Sequence, residues 1–345
     1  MIRNFYDEYH GHTIADLEAV VKTLPNGRGV IYLVGDSTLD NKFWLRNTLP
    51  ACNGYEKLLV PPLSTPDVAY WVNRECEQRG IGSSYCCVNA AIEESTLGLR
   101  HGGKLLPQDA FVKSAVCEKD IICVSMGGND IALRPTPATV IWIIALLASP
   151  RWLIELGLAP GLHHFVGLFR DATASYLKTL LGTRKPRAII ACMLYYLDEK
   201  EGGSWADFTL SKLGYNSDPT KLQLIMREIY KRGTSHMQVG DIPVVPVPLY
   251  EALDGKDTND YVQRVEPSAQ GGQKMAKTIL DHLLPALELG GPSAAAAAAS
   301  GGGQAPRRSD RLRGGSDAGV GASATAQPTV AMPSAVHQGK SAGLW

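Results

Sequence analysis

Short runs of aliphatic and β-branched residues alternate along the chain with longer stretches in which apolar residues recur every three or four positions. That alternation predicts strands separated by helices. Five strands are expected, at 30–34, 85–88, 121–126, 188–193 and 242–247, and five principal helices, at 14–24, 67–78, 165–181, 220–230 and 273–284. Gly233 and Gly272 fit as helix boundaries, and Ser217-Asp218-Pro219 has the composition of a helix start. The pattern is that of a parallel sheet covered by helices on both faces, a three-layer α/β/α domain over residues 1–289. No internal repeat is visible.

Beyond residue 289 the composition turns to Gly, Ala, Ser and Pro, with an alanine run at 294–299 and scattered arginines. Such a segment has too little apolar surface to offset its ordering entropy, so 290–345 is expected to be a disordered tail. The longest apolar stretch, 138–148, ends at Ser149-Pro150-Arg151. It falls short of the roughly 20 residues that span a bilayer and reads as a buried or interfacial helix, not a membrane anchor.

Lysine plus arginine and aspartate plus glutamate number 34 each. With no net field to attract a polyanion, a nucleic-acid role is not expected. The seven cysteines lack the paired spacing of a zinc site and several sit in apolar runs, so buried reduced thiols are expected. With no signal-peptide pattern at the amino terminus, these thiols point to a cytoplasmic protein.

In an open parallel sheet, ligands bind beyond the carboxyl ends of the strands, where loops are free to carry polar groups. Three such turns stand out: Gly35-Asp36-Ser37 after the first strand, Asn89-Ala90-Ala91 after the second, and Gly127-Gly128-Asn129-Asp130 after the third. Toward the end of the domain the chain reads Gln263-Arg264-Val265-Glu266-Pro267-Ser268 ahead of the last helix.

This order of turns resembles the SGNH, or GDSL-type, hydrolase family over about residues 28–285. The resemblance implies a flavodoxin-like sheet and hydrolysis of a small-molecule ester through an acyl-enzyme, without metal or organic cofactor. It places Ser37 as nucleophile, with Asn129 and the Ala91 N–H as oxyanion donors, Ala91 standing where the family has glycine. Asp36, Gly128 and Trp142 are expected on the substrate side. The family's base is a histidine oriented by an aspartate three residues earlier, and those positions hold Glu266 and Gln263. A carboxylate is a weaker base than imidazole unless burial raises its pKa, and pairing with Arg264 would lower it. His101 and His236 are the alternative bases.

Other readings stay open. A chain that keeps the crevice but not the proton chemistry would be a catalytically inactive binding protein, and the arginine-bearing tail would suit an interaction protein. Glu93 and Glu94 would oppose an oxyanion, so at least one is expected to face solvent or Arg100. The apolar connection 131–169 is either a cap offering an acyl-binding surface or a set of ordinary core helices. Asp254, Asp257 and Asp260 lack the order of a calcium loop and read as a polar turn. The oligomeric state is open.

Overall fold

In the computed structural model the described residues are 1–288, so the segment 290–345, read above as a disordered tail, lies outside them. Helix α1 (Ile14–Thr23) precedes strand β1 (Gly29–Gly35), and a two-residue ladder joins β2 (Leu49–Pro50) to β3 (Leu63–Ser64) before α2 (Val68–Gln78). Then come β4 (Tyr85–Asn89), α3 (Pro107–Ala115), β5 (Ile121–Ser125) and four helices: α4 (Gly128–Ala132), α5 (Pro137–Ala148), α6 (Arg151–Glu155) and α7 (Leu162–Gly167). Helix α8 (Thr173–Leu181), β6 (Ala188–Met193), α9 (Asp207–Lys212), α10 (Pro219–Arg232) and β7 (Val244–Pro248) complete the alternation. A small hairpin of β8 (Tyr261–Val262) and β9 (Glu266–Pro267) leads into α11 (Ala269–Glu288).

The five expected strands form one sheet in the order β4-β1-β5-β6-β7, and every pairing in it is parallel. Strand β1 is buried along its whole length because it lies mid-sheet between two helical layers. Its side chains alternate between faces, as a pleated strand requires. Val30, Tyr32 and Val34 join a core with Leu17, Val20, Phe111 and Leu177, whereas Ile31 and Leu33 pack with Val68, Val72, Met275 and Ile279. A third apolar cluster, built by Ile143, Phe165, Phe169, Met193, Ile225 and Ile229, fills the space under α5, α7 and α10.

Three boundaries depart from expectation, the first for a local reason. The last strand begins at Val244 because Ile242 closes a turn onto the Val239 carbonyl and Pro243 has no N–H to give. The helix expected over 165–181 starts at Leu162 and is interrupted by a π-helical turn, Leu168–Ala172, between α7 and α8. Helix α11 begins at Ala269, four residues early. Asp67 and Pro219 start α2 and α10 as their types suggest, the Asp67 carboxylate accepting the Tyr70 N–H at 2.7 Å. Among the described residues no helix is long and apolar enough to cross a membrane. Six of the seven cysteines are buried thiols, and Cys117 is exposed.

Candidate active site

The strand order reverses direction at the β1–β5 pair: from β1 the chain goes out to β4, then returns to β5 on the other side. Such a switch point leaves a crevice at the carboxyl ends of the two strands. Their pairing ends at Gly35 opposite Ser125, so the turns carrying Ser37 and Asn129 emerge side by side. Gly35 makes this junction possible. Its φ is +132°, and a Cβ there would lie 1.9 Å from the Ser125 carbonyl oxygen.

Past Gly35 the chain folds into a turn in which the Leu39 and Asp40 N–H groups bond the Asp36 carbonyl, each at 3.1 Å, and the Thr38 N–H bonds the Asp36 carboxylate at 3.1 Å. The Ser37 N–H finds no acceptor among the described residues and is free to donate. On the neighbouring turn, Gly127 (φ +111°) starts α4, and the Asn129 side-chain amide donates to the Ser95 carbonyl at 3.1 Å. That bond fixes the amide and uses one of its two hydrogens, leaving the other for a ligand. Asp130 ties the same loop down by accepting the Leu97 and Gly98 N–H groups, each at 2.9 Å.

Glu266 comes from the far end of the domain. The hairpin that carries it turns through two successive left-handed residues, Gln263 (φ 52°) and Arg264 (φ 68°). Arg264 is buried and points away from Glu266: it bonds Asp207 at 2.6 Å, Asn216 at 3.0 Å and the Asp198 carbonyl. Asn41 fixes the other side of the hairpin by donating to the Pro267 carbonyl at 2.9 Å, and the Tyr195 hydroxyl donates to the Val265 carbonyl at 2.7 Å. Thus held, Glu266 and Ser37 line one cavity together with Asp36, Gly128 and Asn129. Among the described residues no hydrogen bond joins Ser37 to Glu266, though both line the same cavity and the nearby Ser37 hydroxyl favours the ionised carboxylate.

The electrostatics are dominated by buried carboxylates. Burial, then the nearby Asp36 and Asp40 charges, push Glu266 from 4.5 up to about 8, against the opposing effect of Ser37. Burial also raises Asp36 to about 6 and Asp67 to about 7. Asp40 is paired with the buried Lys42 ammonium at 2.7 Å. One oxygen each of Asp36, Glu93 and Glu266 is buried with no hydrogen-bond partner. Desolvation without a donor is what drives these groups toward the protonated form.

The structure corrects several sequence expectations. The Ala91 N–H does not reach the cavity, because it donates to the Asn89 side-chain oxygen at 3.1 Å while the Ala91 methyl packs in the core under α2 and α11. Glu94 is the residue of that loop with a glycine-like backbone (φ 59°), and its N–H has no acceptor among the described residues. Trp142 packs edge-on against the His163 ring, outside the cavity, and its neighbour Ile143 lines it instead. Arg100 meets neither glutamate, since its guanidinium forks onto Asp109 at 2.8 and 3.1 Å. Glu93 is buried rather than solvent-facing; burial and then the Glu266 charge raise its pKa strongly. Glu94 is half-buried and accepts from the Tyr9 hydroxyl at 3.1 Å. His101 is exposed, and the ring of the exposed His236 bonds its neighbour Ser235; neither lines the cavity. Asp257 and Asp260 are turned toward Lys274, at 3.4 and 2.7 Å.

The cavity itself measures about 160 Å³. The connection 131–169 supplies part of its wall through Ile131, Leu133, Ile143, Phe165 and Phe169. Sequence reasoning missed the opposite wall, which α9 and α10 supply through Leu210, Leu213, Ile225 and Met226. The signals for α10, its helical period and its boundary residues, do not say what its apolar face meets.

No protein-family model matches the chain, and no curated protein sequence does. Among solved structures, a Parabacteroides merdae protein described as a GDSL-like lipase superposes at a TM-score of 0.40 with 16% identity, over 75% of this chain and 97% of that one. The family 3 carbohydrate esterase of Clostridium thermocellum gives 0.40 and 14%, over 76% and 100% of the two chains. An acetyl xylan esterase of Geobacillus stearothermophilus gives 0.37 and 16%, over 74% and 95%. Overlaps this loose describe a general likeness of chain course and say nothing of chemistry.

Proposed function

We propose that the chain hydrolyses carboxylic esters through an acyl-enzyme on Ser37, with Glu266 as base. One observation carries the reading: a strand-end serine shares one cavity with a buried carboxylate that burial pushes up to about 8. A general base works best when its pKa lies near the working pH, and burial brings a glutamate into that range. Ser37 Oγ attacks the ester carbonyl carbon while its proton passes to Glu266. The oxyanion that forms lies between the Ser37 N–H and the free hydrogen of the Asn129 amide. Collapse expels the alcohol, which takes the proton back from Glu266, and water then repeats the sequence on the acyl group.

A second reading has one observation in its favour. Gln263 makes no hydrogen bond to Glu266; its own side-chain oxygen accepts the Trp205 N–H at 3.3 Å, so among the described residues no side chain orients the carboxylate as a third triad member would. On that reading the chain binds an ester-like ligand without turning it over. Reaction with a fluorophosphonate probe and assay of p-nitrophenyl esters separate the two, using wild type, Ser37→Ala and Glu266→Gln. Labelling confined to Ser37, and turnover lost in both variants, is the expected result. Absence of labelling, with wild type no faster than Ser37→Ala, would establish the binding protein instead.

A further inference from the structure

The cavity beside Ser37 divides into two chemically distinct parts. Its polar side chains belong mainly to Asp36, Ser37, Thr38, Asn129 and Glu266, whereas the remainder is walled mainly by aliphatic and aromatic side chains of β6, five helices and the π-helical turn. Tyr195 reaches this wall too, but its hydroxyl is already bonded to the Val265 carbonyl. Apart from Thr209 and the indole N–H of Trp205 at the mouth, the apolar part offers a ligand no side-chain donor or acceptor among the described residues, and no cation. A charged or sugar-like group placed there would lose its hydration with nothing in return. Leu133 and Trp205, 39% and 41% exposed, mark where the cavity meets solvent.

Size narrows the occupant further. An apolar cavity of about 150 Å³ stays dry and takes up a benzene ring, and this one measures about 160 Å³. We infer that the cavity is a specificity pocket for one compact apolar group of the ester, a phenyl ring or an aliphatic chain of about six carbons, and that acetyl esters leave it largely empty. The inference rests on the hydrolase reading for its kinetic consequence, but not for its binding consequence. The favoured group is either the acyl part or the alcohol part, since both are apolar in the same way and the two lie on opposite sides of the carbonyl.

Binding tests the pocket without any chemistry. Benzene near saturation is expected to raise the Tm of wild type and of Ser37→Ala alike, and to raise it much less in Leu210→Trp, whose indole would occupy the space. Met226→Ala enlarges the space and guards against a misfolded Leu210→Trp; it should keep the benzene shift. No shift in wild type would overturn the inference whatever the activity. With esters, each buried methylene is expected to raise kcat/KM about fourfold. Acetyl to hexanoyl should therefore gain on the order of two hundredfold in a p-nitrophenyl series. Leu210→Trp should cut the hexanoyl-to-acetyl ratio at least tenfold. If the gain appears instead among acetates of methanol, butanol and hexanol, whose leaving groups are alike, the pocket holds the alcohol. A flat profile in both series overturns the pocket and leaves the hydrolase standing. Inertness toward every ester removes the hydrolase reading, while the benzene result still decides the pocket.

Discussion

Replacing Glu266 by glutamine should produce two effects of opposite sign across one pH window. Burial holds the Glu266 carboxyl up from 4.5 to about 8 in the folded chain. On the proposed mechanism only the ionised form accepts the Ser37 proton, so the wild-type rate should climb with pH through about 8. At pH 6 about 1% of such a group is ionised and at pH 8 about half, a rise of about fiftyfold in kcat/KM. An imidazole base near 6.5 would change only about fourfold over the same interval. Stability runs the other way. Between 4.5 and about 8 the folded chain holds a proton on Glu266 that the unfolded chain has already released. Stability from this group is therefore complete below 4.5 and falls by about 1.4 kcal/mol per pH unit until the folded group ionises, a total of about 4–5 kcal/mol. Glutamine keeps the shape and removes the proton, so Glu266→Gln should be inactive yet more stable than wild type at pH 8 to 9, and nearly equal to it at pH 4. Removing the Glu266 charge also relieves Glu93, which adds to the gain. Urea unfolding of both proteins from pH 4 to 9, beside the pH–rate profile, measures both effects. Parallel stability curves, or a wild-type rate that is flat between pH 6 and 8, would refute the placement of an elevated carboxyl beside the serine.

Asn129→Ala should lower kcat by about 10²–10³ with little change in KM, because the amide donor acts mainly on charge that develops in the transition state; steady-state kinetics on one p-nitrophenyl ester decides it. Arg100→Met leaves Asp109 buried opposite only the Tyr176 hydroxyl and backbone donors, and should cost about 3–5 kcal/mol in urea unfolding. Gly35→Ala drives a methyl to 1.9 Å from the Ser125 carbonyl, so it should abolish cooperative unfolding seen by circular dichroism. Arg264→Ala removes the guanidinium that anchors the Glu266 hairpin to Asp207 and Asn216; Ser37 labelling by the fluorophosphonate should slow at least tenfold, while the far-ultraviolet spectrum stays native.

What was legible in the chain is what local pattern determines. The strands announce themselves because each is apolar along nearly its whole length, and the turns at their carboxyl ends follow from the sheet's own polarity. Glu266 was found as an exchange at a recognisable place, but its role depended on the direction of Arg264. That direction was set by Asp207 and Asn216, more than 45 residues away. Ala91 shows a different limit: its position was right beside the loop, yet one side-chain bond from Asn89 redirects its N–H. Trp142 was misplaced because α5 is apolar on nearly every side, leaving Ile141 and Ile144 exposed and Ile143 buried, so no polar face existed from which to orient it. Glu93 contradicts the rule that carboxylates face water, and its burial follows from an N–H bond to Asp40 and an indole bond from Trp44.

The distance in sequence between the site's parts has a consequence for the newborn chain. Ser37 lies in the first strand-turn, Asn129 about 90 residues later, and Glu266 about 230 residues later, just ahead of the helix α11 that closes one face of the sheet against α2. A ribosome adding about 5–20 residues per second takes about 10–50 s to travel from the serine to the glutamate. Throughout that time the serine exists without its partner, and chains cut short before the final hairpin keep it that way. Reactivity at Ser37 would then report a closed site, appearing only once the hairpin carrying Glu266 has folded back onto the turn carrying Ser37.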